Sequence, residues 1–161
     1  MERLSVCIYL NEMNQKDNLK PITILMADDD PDDQLMAKEA FEENQMLNPL
    51  QFVSDGEDLM DYLHQRGKYN SETAPRPGLI LLDLNMPRKD GREALMEIKS
   101  DPSLKRIPIV VLTTSKSEED ILKSYDLGVS SFITKPVTFE DLVQVTKELG
   151  KYWFGIVVLP D

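Results

Sequence analysis

Apolar positions along this chain come in short unbroken blocks separated by longer stretches of mixed pattern. Ile22-Thr23-Ile24-Leu25-Met26-Ala27, Leu79-Ile80-Leu81-Leu82 and Ile109-Val110-Val111-Leu112 are nearly continuous apolar runs. Short runs without alternation predict strands buried on both faces. Further strand candidates lie at 50–53 and 131–134. Amphipathic stretches predict helices at about 33–44, 56–65, 91–100, 117–127 and 138–149. Asp55-Gly56 opens the second helix, Gly128 closes the fourth, Thr138 with Asp141 resembles a capping box, and Gly150 closes the fifth. The one long connection, Arg66-Gly67 to Pro77-Gly78, is rich in Pro, Ser and Thr and is expected to be a mobile surface loop. Five strand–helix units predict an α/β fold, a parallel sheet covered by helices through right-handed crossovers.

Composition narrows the function. The 161 residues suit one domain with a sizeable core. The net charge of −11 opposes nucleic-acid binding. Part of that charge is local, since five Asp fall between Asp28 and Asp33, which suggests a metal or a cationic partner. A lone Cys7 leaves no internal disulfide and fits a reducing compartment. No apolar run reaches the ~18 residues that span a bilayer, and the first ten residues are too interrupted for a signal peptide. A cytoplasmic protein without membrane contact is expected. Residues 1–20 read as a flexible leader, 21–150 as the α/β domain, and 151–161 as an apolar extension.

Four of the apolar segments stop at groups suited to phosphate or a divalent cation: Asp28-Asp29, Asp83, Thr113, and Lys135 before Pro136. In an open parallel sheet, ligands bind at the carboxyl ends of the strands. Acids meeting there repel each other unless a cation joins them, and Mg²⁺, which keeps several waters, suits few protein ligands. Favourable placement in a first helical turn accounts for Asp30, Asp32 and Asp33. It does not account for acids ending two different strands. A calcium loop through Asp28, Asp30, Asp32 and Glu39 is rejected, because Asp33 stands where that loop needs Gly and an apolar strand precedes it. A metal-bound carboxylate can accept a phosphoryl group as an acyl phosphate, with Lys135 and Thr113 supplying a cation and a hydroxyl to its oxygens.

Asp28-Asp29, Leu82-Asp83, Met86-Pro87 with Asp90-Gly91, Thr113, and Lys135-Pro136 together resemble the receiver domain of two-component response regulators over roughly residues 22–150. The resemblance implies a flavodoxin-like, five-stranded parallel sheet of order 2-1-3-4-5 with helices on both faces. It implies Asp83 as phosphoacceptor and Mg²⁺ held by Asp29, Asp83 and the backbone carbonyl of Asn85, with Asp28 on a metal-bound water. It also implies a cis peptide before Pro136, a sensor histidine kinase as phosphoryl donor, and a switch in which Phe132 moves with Thr113. The protein would then be a phosphoacceptor rather than an enzyme.

Asn85-Met86-Pro87-Arg88-Lys89-Asp90-Gly91, Arg106 to Ser115, and Tyr152 to Pro160 are similar to the stand-alone regulators that partner bacterial phytochromes. Those pair as homodimers through their C-terminal region. Trp153, Phe154, Ile156 and Val158 are accordingly expected at a dimer contact. The alternative is a haloacid-dehalogenase-like phosphatase with an aspartyl-phosphate intermediate. Asn85 where that family needs a second Asp, an acidic pair that precedes the nucleophile, and no cap segment count against it. His64, the single histidine, is expected to be an ordinary surface or boundary residue.

Overall fold

The computed structural model describes residues 21–113, 128–129 and 131–152. Its strands are β1 (Ile24–Ala27), β2 (Leu50–Val53), β3 (Leu79–Asp83), β4 (Ile109–Thr113) and β5 (Ser131–Thr134). Its helices are α1 (Pro31–Glu43), α2 (Gly56–His64), α3 (Gly91–Ser100) and α4 (Phe139–Tyr152). The leader, the helix expected at 117–127 and the extension from 153 onward lie outside the described residues.

The five strands pair in the order β2-β1-β3-β4-β5, each pair parallel, as the flavodoxin-like order requires. Every position of β1 and β3 is buried, which is why their sequences are apolar without alternation, Asp83 at the end of β3 excepted. The register sets Asp83 opposite Leu112 and Thr113 opposite Thr134. Parallel strands in this register bring the acids after β1, the acid ending β3, and Lys135 after β5 to one edge of the sheet.

The chain divides into two compact units. One comprises Thr23–Gln34 and Leu50–Lys135, and so holds the whole sheet, α2, α3 and the first turn of α1. Its core joins Leu25, Ala27, Ile80, Leu82 and Val111 of the strands to Leu59, Leu95 and Ile98 of the helices. Each Leu, Ile or Val side chain among them contributes about 1.5–3 kcal/mol on burial. Among the described residues, the other unit comprises 21–22, Leu35–Pro49 and 136–152. Within it Ala37, Ala40, Phe41, Met46 and Leu149 are buried, and Asn44 Nδ2 donates to the Val143 carbonyl at 2.8 Å.

The caps at Asp55 and Thr138 follow the sequence. Asp55 accepts from Asp58 N–H at 2.7 Å, Asp90 from Glu93 N–H at 2.9 Å, and the Thr138 hydroxyl from Asp141 N–H at 3.1 Å. Two expectations need correction. Gly150 does not end the last helix, which runs on to Tyr152. A helical Gly costs only about 1 kcal/mol, and buried Leu149 beside it anchors the turn. The 66–78 connection is pinned rather than loose. Tyr62 OH donates to the Pro75 carbonyl at 2.9 Å, Gln65 Nε2 to the Ala74 carbonyl at 3.0 Å, and Tyr69 OH to Asp58 Oδ1 at 2.7 Å. Its Pro- and Ser-rich composition masked the anchors, Tyr69 edge-on to Tyr62 with centroids 5.2 Å apart, and buried Ala74.

Candidate functional site

The sheet edge gathers Asp28, Asp29 and Asp83 so that one carboxylate oxygen of each lies within 4.8 Å of the others. Asp28 and Asp83 are buried and Asp29 is exposed. Asp28 is held by its own turn: Oδ1 accepts from Asp30 N–H at 2.9 Å, and Gln34 Nε2 donates to its carbonyl at 2.7 Å. Asp28 Oδ2 is buried with no hydrogen-bond donor in line, and the Lys135 ammonium faces it at 2.8 Å. Burial pushes the Asp28 carboxyl up to about 6, with Lys135 and Asp30 N–H pulling the other way.

Asp83 is fixed through both oxygens. Oδ1 accepts from Asn85 N–H at 2.9 Å and Oδ2 from Lys135 Nζ at 3.1 Å. The segment after it is clamped. Gly91 N–H donates to the Leu84 carbonyl at 3.0 Å, and Gly56 N–H to the Lys89 carbonyl at 2.9 Å. A Cβ on Gly91 would stand 2.4 Å from the Asp83 carbonyl oxygen, so only glycine lets α3 start this close to Asp83. Arg88, at φ 61°, reaches Asp55 and Glu57 at 3.7 Å each.

Lys135 meets three carboxylates, Asp33 at 2.7 Å, Asp28 at 2.8 Å and Asp83 at 3.1 Å. Burial works against its charge, but hydrogen bonding and attraction to these acids outweigh that and hold the ammonium above its ordinary value. The cis peptide expected before Pro136 is absent, for no cis bond occurs among the described residues. The trans form is the ordinary preference even before proline, and Lys135 reaches the acids from it.

The geometry thus brings together Asp28, Asp29, Asp83 and Lys135 as the sequence implied. Asn85 follows Asp83 with its N–H on the Asp83 carboxylate. Thr113 ends β4 at the same edge, with its side chain outside the described residues. Phe132 pairs with Val111 and packs half-buried against the core. Trp153, Phe154, Ile156 and Val158 lie outside the described residues. His64 is a surface residue 3.8 Å from Asp101. The residue that sequence reasoning missed is Asp33, assigned there to a helix N-terminus. Its place in the first turn of the helix that follows the strand end was the available signal.

The donors suit a hard divalent cation. Three carboxylates, Asp28, Asp33 and Asp83, face a single ammonium with Asp29 beside them, and one buried oxygen has no donor in line, so negative charge is left over. Among the described residues no helix is long and apolar enough to cross a membrane.

Comparison with known proteins agrees with this arrangement. Response regulator Rcp1 of Synechocystis sp. strain PCC 6803 is 44% identical over 140 residues, covering 87% of this chain and 94% of its own. The crystal structure of Mn²⁺-bound Rcp1 superposes with a TM-score of 0.76 at 43% identity, covering 88% of this chain and 100% of that one. The phosphorylated cyanobacterial phytochrome response regulator RcpA has a TM-score of 0.76 at 47% identity, covering 83% and 94%. The haloacid-dehalogenase-like alternative finds no support in these relatives. The match to the response regulator receiver domain extends over residues 24–147, and the chain belongs to that family.

Proposed function

We propose that this receiver takes a phosphoryl group on Asp83 from the phosphohistidine of a sensor kinase and signals through protein–protein contacts. The observation that carries this is Asp83 itself: a buried carboxylate at a strand end, tied to Lys135 at 3.1 Å and clustered with Asp28 and Asp29. An Asp83 oxygen attacks phosphorus as the bond to the donor nitrogen breaks, leaving an acyl phosphate. Asn85 N–H fixes the carboxylate rotamer so that one oxygen is presented for attack. Lys135 exchanges its bond to Asp83 for one to a phosphoryl oxygen, and the Thr113 hydroxyl donates to another. Mg²⁺, held by Asp29, Asp83 and the Asn85 carbonyl with Asp28 through water, would neutralise part of the phosphoryl charge.

The added phosphate draws Thr113 inward, and the Phe132 ring follows into the space vacated. Similarity to RcpA, a cyanobacterial phytochrome response regulator, supports a phytochrome-type kinase as partner. A homodimer contact through Trp153, Phe154, Ile156 and Val158 gives that change a surface to act on. Incubation with acetyl phosphate and Mg²⁺ tests the acceptor. One phosphoryl group should add to the intact mass of the wild type and none to Asp83→Asn. Phosphate release without an adduct would contradict the reading.

A further inference from the structure

Two cation positions at this sheet edge compete for the same acids. Asp28, Asp29 and Asp83 form the group able to hold a metal, while Lys135 pairs with Asp28, Asp83 and Asp33. Asp28 and Asp83 are therefore shared. Asp29 belongs to the metal group, and no ion pair joins it to Lys135 among the described residues. Asp33 is outside the metal group, yet it makes the shortest of the three contacts, 2.7 Å. An ammonium has three donors; here it hydrogen-bonds Asp83, while Asp28 and Asp33 face it as ion pairs.

We infer that Asp33 is a positioning residue that retains the Lys135 ammonium when Asp28 and Asp83 turn to a divalent cation. The inference rests on the acceptor and metal reading above. Without Asp33, Lys135 would have to give up its carboxylate partners together, or stay and oppose the metal. With Asp33, whose side chain is about one-third exposed on the first turn of α1, the ammonium keeps one counter-ion and stays beside the acceptor. Asp32 serves as the internal control: it lies in the same turn, is exposed, and carries the same charge without contacting Lys135.

The test is Mn²⁺ affinity, read by the loss of free-ion EPR signal on the whole chain with no phosphoryl donor present. Asp33→Asn is expected to weaken binding about three- to fivefold, the scale of a partly exposed ion pair. Asp32→Asn should change it less than about twofold, as expected of a screened, non-contacting charge. In a Lys135→Met background the effect of Asp33→Asn should vanish, because a double-mutant cycle isolates the coupling. Asp33→Glu, which keeps the charge, should recover the affinity. Equal losses for Asp32→Asn and Asp33→Asn, a loss that persists without Lys135, or no loss at all would each overturn the inference. A chain that shows the coupled Mn²⁺ effect but takes no phosphoryl group would leave the inference standing while the acceptor reading fails.

Discussion

Lys135 and Gly91 show how single residues set this site. Asp28 is fully buried, and the ammonium of Lys135 is the charge that compensates it. Removing one partner of a buried ion pair is far costlier than the pair is worth. Lys135→Met should therefore destabilise the metal-free protein by about 3 kcal/mol, measured as a shift in urea midpoint. Millimolar Mg²⁺ should recover part of that loss, since it would compensate the same acids. A midpoint equal to that of the wild type would show that Asp28 does not depend on Lys135. Gly91→Ala places a methyl 2.4 Å from the Asp83 carbonyl oxygen, where backbone must shift. Overpacking of this kind costs about 1–3 kcal/mol, and here it should slow phosphorylation as well, because the displaced atoms belong to the acceptor. At this scale the sequence revealed the residues with one strong chemical role: Asp28, Asp29, Asp83 and Lys135. It did not reveal Asp33, whose helix-terminal position already had a sufficient explanation, nor that Gly91 is required by contact rather than by turn geometry.

Elements carry these residues into place through their ends. The cap of α3 is Asp90, and α3 begins at the residue that touches the acceptor backbone. Asp90→Ala should cost about 1 kcal/mol in urea stability and lower the phosphorylation rate more than a surface change elsewhere on the helix. The pinned 66–78 connection gives a pH signature. Burial pushes the Tyr62 hydroxyl up to about 12, and burial with the Asp58 hydrogen bond pushes Tyr69 up as well. A group whose folded pKa is raised contributes stability that is full below its unfolded value, ~10 for tyrosine, and is lost as pH rises through the folded one. Urea midpoints should therefore fall from pH ~10 to ~12, and fall less steeply in a Tyr62→Phe, Tyr69→Phe double variant. Parallel slopes would remove these hydroxyls from the account of the connection. The helix starts at Asp55 and Thr138 were legible because these residues act through local hydrogen bonds; Asp90 reads as a turn residue in the sequence, and its cap on Glu93 N–H emerged from the structure. The pinned connection was not, because Tyr69 and Ala74 act through contacts with α2 that composition does not encode.

For the whole molecule, the location of the site followed from continuous apolar runs that each stop at a polar group, whereas the strand order came only with the resemblance to receiver domains. Burial on both faces points to a parallel, helix-covered sheet, whose strand carboxyl ends all lie along one edge. The isomer before Pro136 was not legible, since trans and cis X–Pro differ by only about 0.5–1 kcal/mol. If the apolar residues after Tyr152 form the dimer contact, deleting 153–161 should give a monomer by light scattering while acetyl phosphate still adds to Asp83. A dimer of undiminished affinity would place the contact elsewhere. The acceptor assignment can be tested most directly by reducing the phosphorylated chain with borohydride, which converts an aspartyl phosphate to homoserine, and mapping tryptic peptides. The peptide of residues 69–88 contains Asp83 as its single aspartate. Homoserine at position 83, formed only when Mg²⁺ and phosphoryl donor are both present, is the expected result; homoserine at Asp28 or Asp29 instead, with position 83 unchanged, would contradict it.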